Sequence, residues 1–378
     1  MADRNKDTVT LMAGGDVAPI YEPADQLAEL VLPVLRQADL RFAQCERTYS
    51  ERHWGPPGSS CIHPRLASVW KTAGIDVLSL ASNHTMDAGP EALLDTIELF
   101  RGMGKHVIGA GKDEEEARKP AVVERNGVKI AFLGYCSVIT EGHEAGTGKP
   151  GMVPMRAHTY YERGKDQQEA FHPGTPPLIL TIPYEKDLQA LQDDIRNAKQ
   201  HADVVVMSIH WGIHMIPKAL AAYQTQVAHA AIDAGADLIL GHHAHCLKAV
   251  EVYRGKVCFY SLGNFMMPSR PKPVNPSDWC RWNLYWYRVD AAYLPPNSIY
   301  NYPPHCRMTM IVKAVIRKKS VERVFFLPAF INPQAQPALV SPDNPKFREI
   351  LEYVEWVSDQ HPGRFRVEGS EVVVDTAS

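Results

Sequence analysis

Residues 236–245 read ADLILGHHAH. A polar start gives way to the apolar run Leu238–Leu240, which leads straight into His242, His243 and His245. A short apolar run entered from a polar residue reads as a buried β-strand. Three other stretches repeat the design. TVTLMAGGD (8–16) ends in Asp16, GIDVLSLASNH (74–84) ends in Asn83 and His84, and ADVVVMSIHW (202–211) carries His210 near its end. In a mostly parallel sheet, ligands bind beyond the carboxyl ends of the strands. Four separate pieces of chain thus bring Asp, Asn and His to the same kind of place, which points to a metal-dependent hydrolase.

Amphipathic stretches separate these runs. They are Ala24–Gln37, with Leu27, Leu30, Val31 and Val34 on one face, then Pro64–Ala73, Glu91–Met103, Tyr184–His201 and Tyr223–Ala234. Further strands are expected at Leu40–Cys45, Val128–Gly134 and Lys256–Leu262, and as a pair at Thr309–Val315 and Val321–Leu327. Strands alternating with helices predict an α/β fold. Residues 140–178, rich in Gly and Pro, read as a long loop or insertion. Residues 266–305 crowd Trp279, Trp282, Tyr285, Trp286, Tyr287, Tyr293, Tyr300 and Tyr302 among prolines. The expected division is one catalytic domain, 1–340, with insertions near 140–178 and 266–305. An extension, 341–378, packs on it as a helix at Pro345–Asp359 and a strand around Val367–Val374.

The 378 residues are 45% hydrophobic and 22% charged, ordinary for a soluble globular chain. A net charge of −3 offers no electrostatic footprint for nucleic acid. No run approaches the roughly 20 apolar residues that span a bilayer, and the polar start MADRNKD lacks a signal-peptide core. The seven cysteines are odd in number and contain no C-x-x-C pair, against a disulfide framework or a zinc knuckle. These features predict a cytoplasmic protein with buried reduced thiols and no membrane partner.

Each candidate residue has two readings. Asp16 is a cation ligand beside two glycines or a helix N-cap. Glu46, after LRFAQC, is a carboxylate bridging two metals about 3.5–4 Å apart or a surface group paired with Arg47 or Arg52. Asn83 offers a neutral oxygen ligand and His84 a general acid, or the two form a turn. Asp87 orients His84 or caps the helix that follows. His210 is a ligand or a core histidine, and His214 binds substrate or sits in a loop. His243 and His245 are spaced to reach neighbouring metals, with His242 surplus. Imidazole and carboxylate together suit Zn, Mn, Fe or Ni.

The motifs GGD (14–16), Glu46, SLASNHTMDAG (79–89), GAG (109–111), IHWG (209–212), GADLILGHHAH (235–245) and YSLGNF (260–265) together resemble the CapA family, the bacterial capsule-synthesis and poly-γ-glutamate group. The weaker LPAFINPQAQPALV (327–340) resembles its closing strand. The resemblance implies a four-layer α/β/β/α sandwich like that of the calcineurin-like metallophosphoesterases. It implies metal ligation by Asp16, Glu46, Asn83, His210, His243 and His245, with His84 catalytic. The related enzymes carry D-x-H at the first strand, whereas position 18 here is Ala18. His242 or His63 is the expected replacement.

The leading expectation is a soluble hydrolase with a pair of divalent ions, Mn, Fe or Zn, that activate water against a phosphoester, ester or amide. Its partner would be a small molecule with an aromatic or apolar part. That molecule would lie under the 279–302 segment, with Trp282 against it and His214, Arg270 and Arg281 on an anionic group. Ordinary packing is the other reading of that segment, and an interface in a homo-oligomer a third. Two alternatives remain: an accessory protein or γ-glutamyl amide hydrolase of poly-γ-glutamate metabolism, and a metal-binding scaffold without activity.

Overall fold

The computed structural model describes residues 7–56, 59, 61–162, 177–269, 297–361 and 364–376. The chain first lays down four parallel strands: β1 Thr8–Val17, β2 Leu40–Cys45, β3 Val77–Ser79 and β4 His106–Ile108. It then builds a second sheet from β5 Ala121–Arg125, β6 Val128–Cys136, β7 Val204–His210, β8 Leu238–His242, β9 Val250–Tyr253 and β10 Lys256–Phe259, in the order β9-β10-β8-β7-β6-β5. Finally it returns to the first sheet with β11 Asn264–Met266, β12 Met308–Arg317, β13 Ser320–Ile331, β14 Pro337–Leu339, β15 Arg364–Glu368 and β16 Glu371–Asp375. The ten-stranded first sheet runs β15-β16-β13-β12-β1-β2-β3-β4, with β11 on β1 and β14 on β13.

Strand alternation sorts the apolar residues into three cores. Between the sheets, Leu11, Phe42 and Val77 meet Phe132, Val206 and Leu240, and the Phe42 and Phe132 rings stack with centroids 6.1 Å apart. On the outer face of the first sheet, Met12, Ala43 and Leu78 pack on Leu93, Ile97 and Phe100 of helix α1, Gly89–Gly102. On the outer face of the second, Val205, Met207 and Ile239 pack on α2, Glu185–His201, and α3, Ala222–Ala234. The result is the expected four-layer α/β/β/α sandwich. Each fully buried Leu or Phe contributes about 1.5–3 kcal/mol.

Four expectations need correction. Ala24–Gln37 is not one α-helix: a 3-10 segment, Ala24–Val31, leads into a single α-turn, Leu32–Leu35. Pro33 has no N–H to continue an α ladder toward Glu29, and Leu30 is 45% exposed rather than on the buried face. Residues 140–178 are not all loop, because Ala157–Glu162 pairs antiparallel with Leu178–Pro183. Tyr160, Tyr161, Leu178, Ile179 and Ile182 are all exposed, so no polar–apolar alternation announces that strand pair. The final strand is two, β15 and β16, joined by a tight turn at Gly369. The C-terminal segment is woven in rather than laid on: β16 hydrogen-bonds to β13, and α4, Pro345–Val357, sends Phe347, Ile350 and Val354 into the inter-sheet core. Among the described residues no helix is long and apolar enough to cross a membrane, and six cysteines are buried and free.

One irregularity positions the site. Ala13 pairs with Phe42, but Asp16 pairs with Gln44, so β1 uses three steps where β2 uses two. Without that bulge, alternation would turn residue 16 toward the helices. With it, Asp16 joins the row of Gln44 and also pairs with Asn264 of β11. Gly15 makes the bulge sterically possible: a Cβ there would lie 1.9 Å from the Gly263 carbonyl oxygen, which accepts the Asp16 amide at 3.1 Å. Gly15→Ala is therefore expected to cost about 1–3 kcal/mol or more by overpacking, read as a lowered denaturant midpoint. An unchanged midpoint would contradict the close approach.

Candidate metal centre

The parity that buries the inter-sheet core also delivers its polar end. Phe42 faces inward, so by alternation do Gln44 and Glu46. Val206 and Leu240 face inward, so do His210 and His242, which are register partners. All four ligand-type side chains at these ends, Asp16, Glu46, His210 and His242, are fully buried. Beyond β8 the backbone turns sharply, with His243 at φ 85° and His245 at φ 57°. Left-handed non-glycine residues cost about 1–3 kcal/mol each and persist where the surroundings over-determine them.

The contacts fall into two groups joined by Glu46. On one side His242 Nδ1 and His245 Nδ1 each lie 3.4 Å from an Asp16 oxygen, and the His243 amide donates to Asp16 Oδ2 at 3.3 Å. On the other, His210 Nε2 lies 2.7 Å from Asn83 Oδ1, 3.1 Å from His243 Nδ1 and 3.1 Å from Glu46 Oε1. His245 Nε2 lies 3.9 Å from Glu46 Oε2, linking the groups. Ligand atoms of Asp16, Glu46 and His210 all fall within 4.8 Å of one another.

Burial makes this arrangement costly for the protein alone. It pushes the Glu46 carboxyl up to about 7, against the pull of His245. Burial also opposes charge on Asp16, but His242 and His245 beside it outweigh that and hold the carboxyl below the usual carboxylate range. His245 is desolvated too, yet the Glu46 and Asp16 carboxylates carry it up to about 9. His210 and His243 are held well below the ordinary imidazole value by burial and by neighbouring imidazoles, so both keep a lone pair at neutral pH. Asp16 Oδ1, both Glu46 oxygens, His210 Nδ1 and both His242 nitrogens are buried without a hydrogen bond. Each such atom costs about 1–3 kcal/mol. Two carboxylates, one amide oxygen and several neutral imidazoles are a donor set that fits a divalent cation.

His84 lies at the half-exposed rim and shares a 2.6 Å hydrogen bond with Asp87. The helix that follows is capped at Ala88, so Asp87 orients His84 rather than capping α1. Arg52 pairs with Asp95 and Glu91, leaving Glu46 to the site. His214 stacks on His243 at 3.9 Å and on His245 at 5.1 Å, and burial pushes it down to about 3. Tyr302 closes on His245 with ring centroids 5.4 Å apart. Of the two proposed replacements for the residue absent at Ala18, His242 reaches Asp16, whereas His63 is engaged elsewhere. Its Nδ1 accepts from the Arg65 amide at the start of a 3-10 turn, and its ring meets Trp54. Arg270, Arg281 and Trp282 lie outside the described residues.

Sequence reasoning missed Asn264, Tyr300 and Lys248. Asn264 contacts His245, and Tyr300 contacts Asn264. Lys248, fully buried, donates to the Ile216 and Ala219 carbonyls and so braces the loop bearing His214. Asn264 sits within the motif YSLGNF, which was the available signal. A lysine one residue beyond Leu247 carried none.

Comparison with known proteins places this geometry in a family. Residues 5–269 match the model of the bacterial capsule synthesis protein PGA_cap. The PGA biosynthesis protein CapA of Bacillus subtilis is 32% identical over 263 residues, 68% of this chain and 61% of that protein. The capsule biosynthesis protein CapA of Bacillus anthracis is 33% identical over 196 residues, 52% of this chain and 41% of that protein. The chain thus spans less than two thirds of the length of either relative. Similar solved structures include a hypothetical protein from Thermus thermophilus, with TM-score 0.41 and 14% identity, covering 87% of this chain and 96% of that one. Another is the calcineurin-like phosphoesterase YfkN from Bacillus subtilis, with TM-score 0.37 and 12% identity, covering 93% of this chain and 99% of that one. With its family match running from before β1 to beyond β11, this chain belongs to the bacterial capsule synthesis protein family PGA_cap.

Proposed function

We propose that the protein is a metal-dependent hydrolase with a pair of divalent ions. The observation that carries this reading is the buried convergence of Asp16, Glu46 and His210, with carboxylate oxygens that no hydrogen bond satisfies. Asp16, His242 and His245 would hold one ion, and Asn83, His210 and His243 the other, with Glu46 between them. Bound divalent ions supply Lewis acidity, which brings the pKa of water toward neutrality and stabilises developing negative charge. His84, its Nδ1 directed by Asp87, is placed to hold or deliver a proton from Nε2. His214 and Tyr302 wall the side of the site nearest His245. The free buried thiols suit a reducing, cytoplasmic setting.

The bond cleaved is a phosphoester, ester or amide. The names of the Bacillus relatives favour a second reading, in which the chain serves poly-γ-glutamate metabolism as an accessory or as a γ-glutamyl amide hydrolase. Assays with Mn, Fe and Zn on phosphomonoesters, phosphodiesters, esters and γ-glutamyl amides separate the readings. The proposal expects turnover of one class, lowered about 10²–10⁴-fold by His84→Ala with metal content intact. His243→Ala is expected to lose both metal and turnover. Elemental analysis that finds no retained metal in the wild type would end the hydrolase reading. Retained metal with no turnover on any class would leave a scaffold.

His242 and His63 receive a separate test. Replacing each with Ala, the proposal expects His242→Ala to lower metal content or affinity and His63→Ala to leave both unchanged. Unchanged stoichiometry and affinity in both variants would remove His242 from the ligand set.

A further inference from the structure

We propose that Asn264 and Tyr300 form a positioning pair that sets the tautomer of His245, so that this imidazole presents Nε2, and not Nδ1, to a bound cation. The proposal rests on the metal-centre reading above and deepens it.

The argument is a proton inventory that starts at an atom with no proton to give. The Cys306 carbonyl oxygen can only accept, and the Tyr300 hydroxyl lies 2.5 Å from it. The hydroxyl therefore donates there and has no second proton. Its oxygen must then accept from its other neighbour, the Asn264 side-chain nitrogen at 2.8 Å. With the amide nitrogen committed to Tyr300, the amide oxygen faces His245 Nδ1 at 2.8 Å. That oxygen accepts only, so Nδ1 carries the hydrogen and the lone pair of a neutral imidazole falls on Nε2. Asp16 Oδ2, 3.4 Å from the same Nδ1, is also an acceptor and agrees. Flipping the amide fails: Asn264 Oδ1 and the Cys306 carbonyl would then both require the single Tyr300 proton.

The fold leaves this chain no freedom to rearrange. Asn264 and Tyr300 are fully buried, so water does not compete for their contacts. The Asn264 backbone is locked in register opposite Asp16, and Thr309 donates to its carbonyl. The Arg307 guanidinium sits over the Tyr300 ring with 5.1 Å to its centroid, and also donates to the Tyr300 carbonyl at 3.1 Å. Nε2 in turn is the nitrogen that faces Glu46 Oε2 at 3.9 Å. Partners that hold the far nitrogen of a ligating histidine typically account for about 10–100-fold in metal affinity.

Three variants test the proposal: Asn264→Leu removes acceptor and donor, Asn264→Asp keeps the acceptor, and Tyr300→Phe keeps the ring but frees the amide to flip. The readouts are zinc affinity by isothermal titration and the ring ¹⁵N signals of His245 in the zinc-loaded protein. The proposal expects a loss of about 10–100-fold for Asn264→Leu and smaller losses for Tyr300→Phe and for Asn264→Asp, which keeps the acceptor for Nδ1 but sets a second acceptor against the Tyr300 hydroxyl. In the wild type, His245 should show a protonated Nδ1 and a zinc-bound Nε2. Unchanged affinity in Asn264→Leu, or zinc on Nδ1 in the wild type, would overturn the positioning role while leaving the metal centre standing. A wild-type protein that takes up no zinc overturns both.

Discussion

The site depends on one constraint, the match in strand phase across two sheets. Side chains on a strand alternate faces, so a ligand at a strand end reaches the interior only if it shares the phase of the core residues before it. β2, β7 and β8 satisfy this directly, and their inward rows end in Glu46, His210 and His242. β1 does not. Its inward residues, Leu11 and Ala13, would leave Asp16 on the helical side. The bulge at Gly14 and Gly15 corrects the phase, and the lack of a side chain at Gly15 lets the Gly263 carbonyl approach closely enough to accept the Asp16 amide.

The charge state of the centre follows from that geometry. Two carboxylates brought into a dry interior repel and are desolvated. The protein answers with four imidazoles that are not equivalent: His245 is drawn toward the charged form by Asp16 and Glu46, while His210 and His243 are held neutral. Unsatisfied oxygens on Glu46 and unsatisfied nitrogens on His242 remain. Strain in the backbone at His243 and His245 adds to the cost. A cation placed among these groups would offset repulsion, desolvation and missing hydrogen bonds together, which is the physical basis of the proposed metal centre.

Much of this was legible in the sequence because it lay in strand-length apolar runs. The runs ending at Asp16, His210 and His242 announce both their strands and their ligands, and the alternation of helix and strand announces the layers. Other features had no local signature. The antiparallel pair Ala157–Glu162 and Leu178–Pro183 exposes apolar residues on both strands, so its pattern is not periodic. Pro33 sits inside a helix-like pattern and interrupts it. Asn264 and Tyr300 are 36 residues apart in the sequence and meet only in the folded chain, and the β1 bulge depends on a register no single strand reveals. His63 satisfied the arithmetic of ligand counting, but only the fold shows its nitrogen capping a turn.

The most direct test is a crystal structure of the manganese-loaded protein with anomalous scattering measured at the manganese edge. The account predicts anomalous peaks enclosed by Asp16, Glu46, Asn83, His210, His243 and His245, with Glu46 between them and His242 turned to the Asp16 side. Peaks confined to surface carboxylates, with Glu46 and His210 still in direct contact, would contradict it.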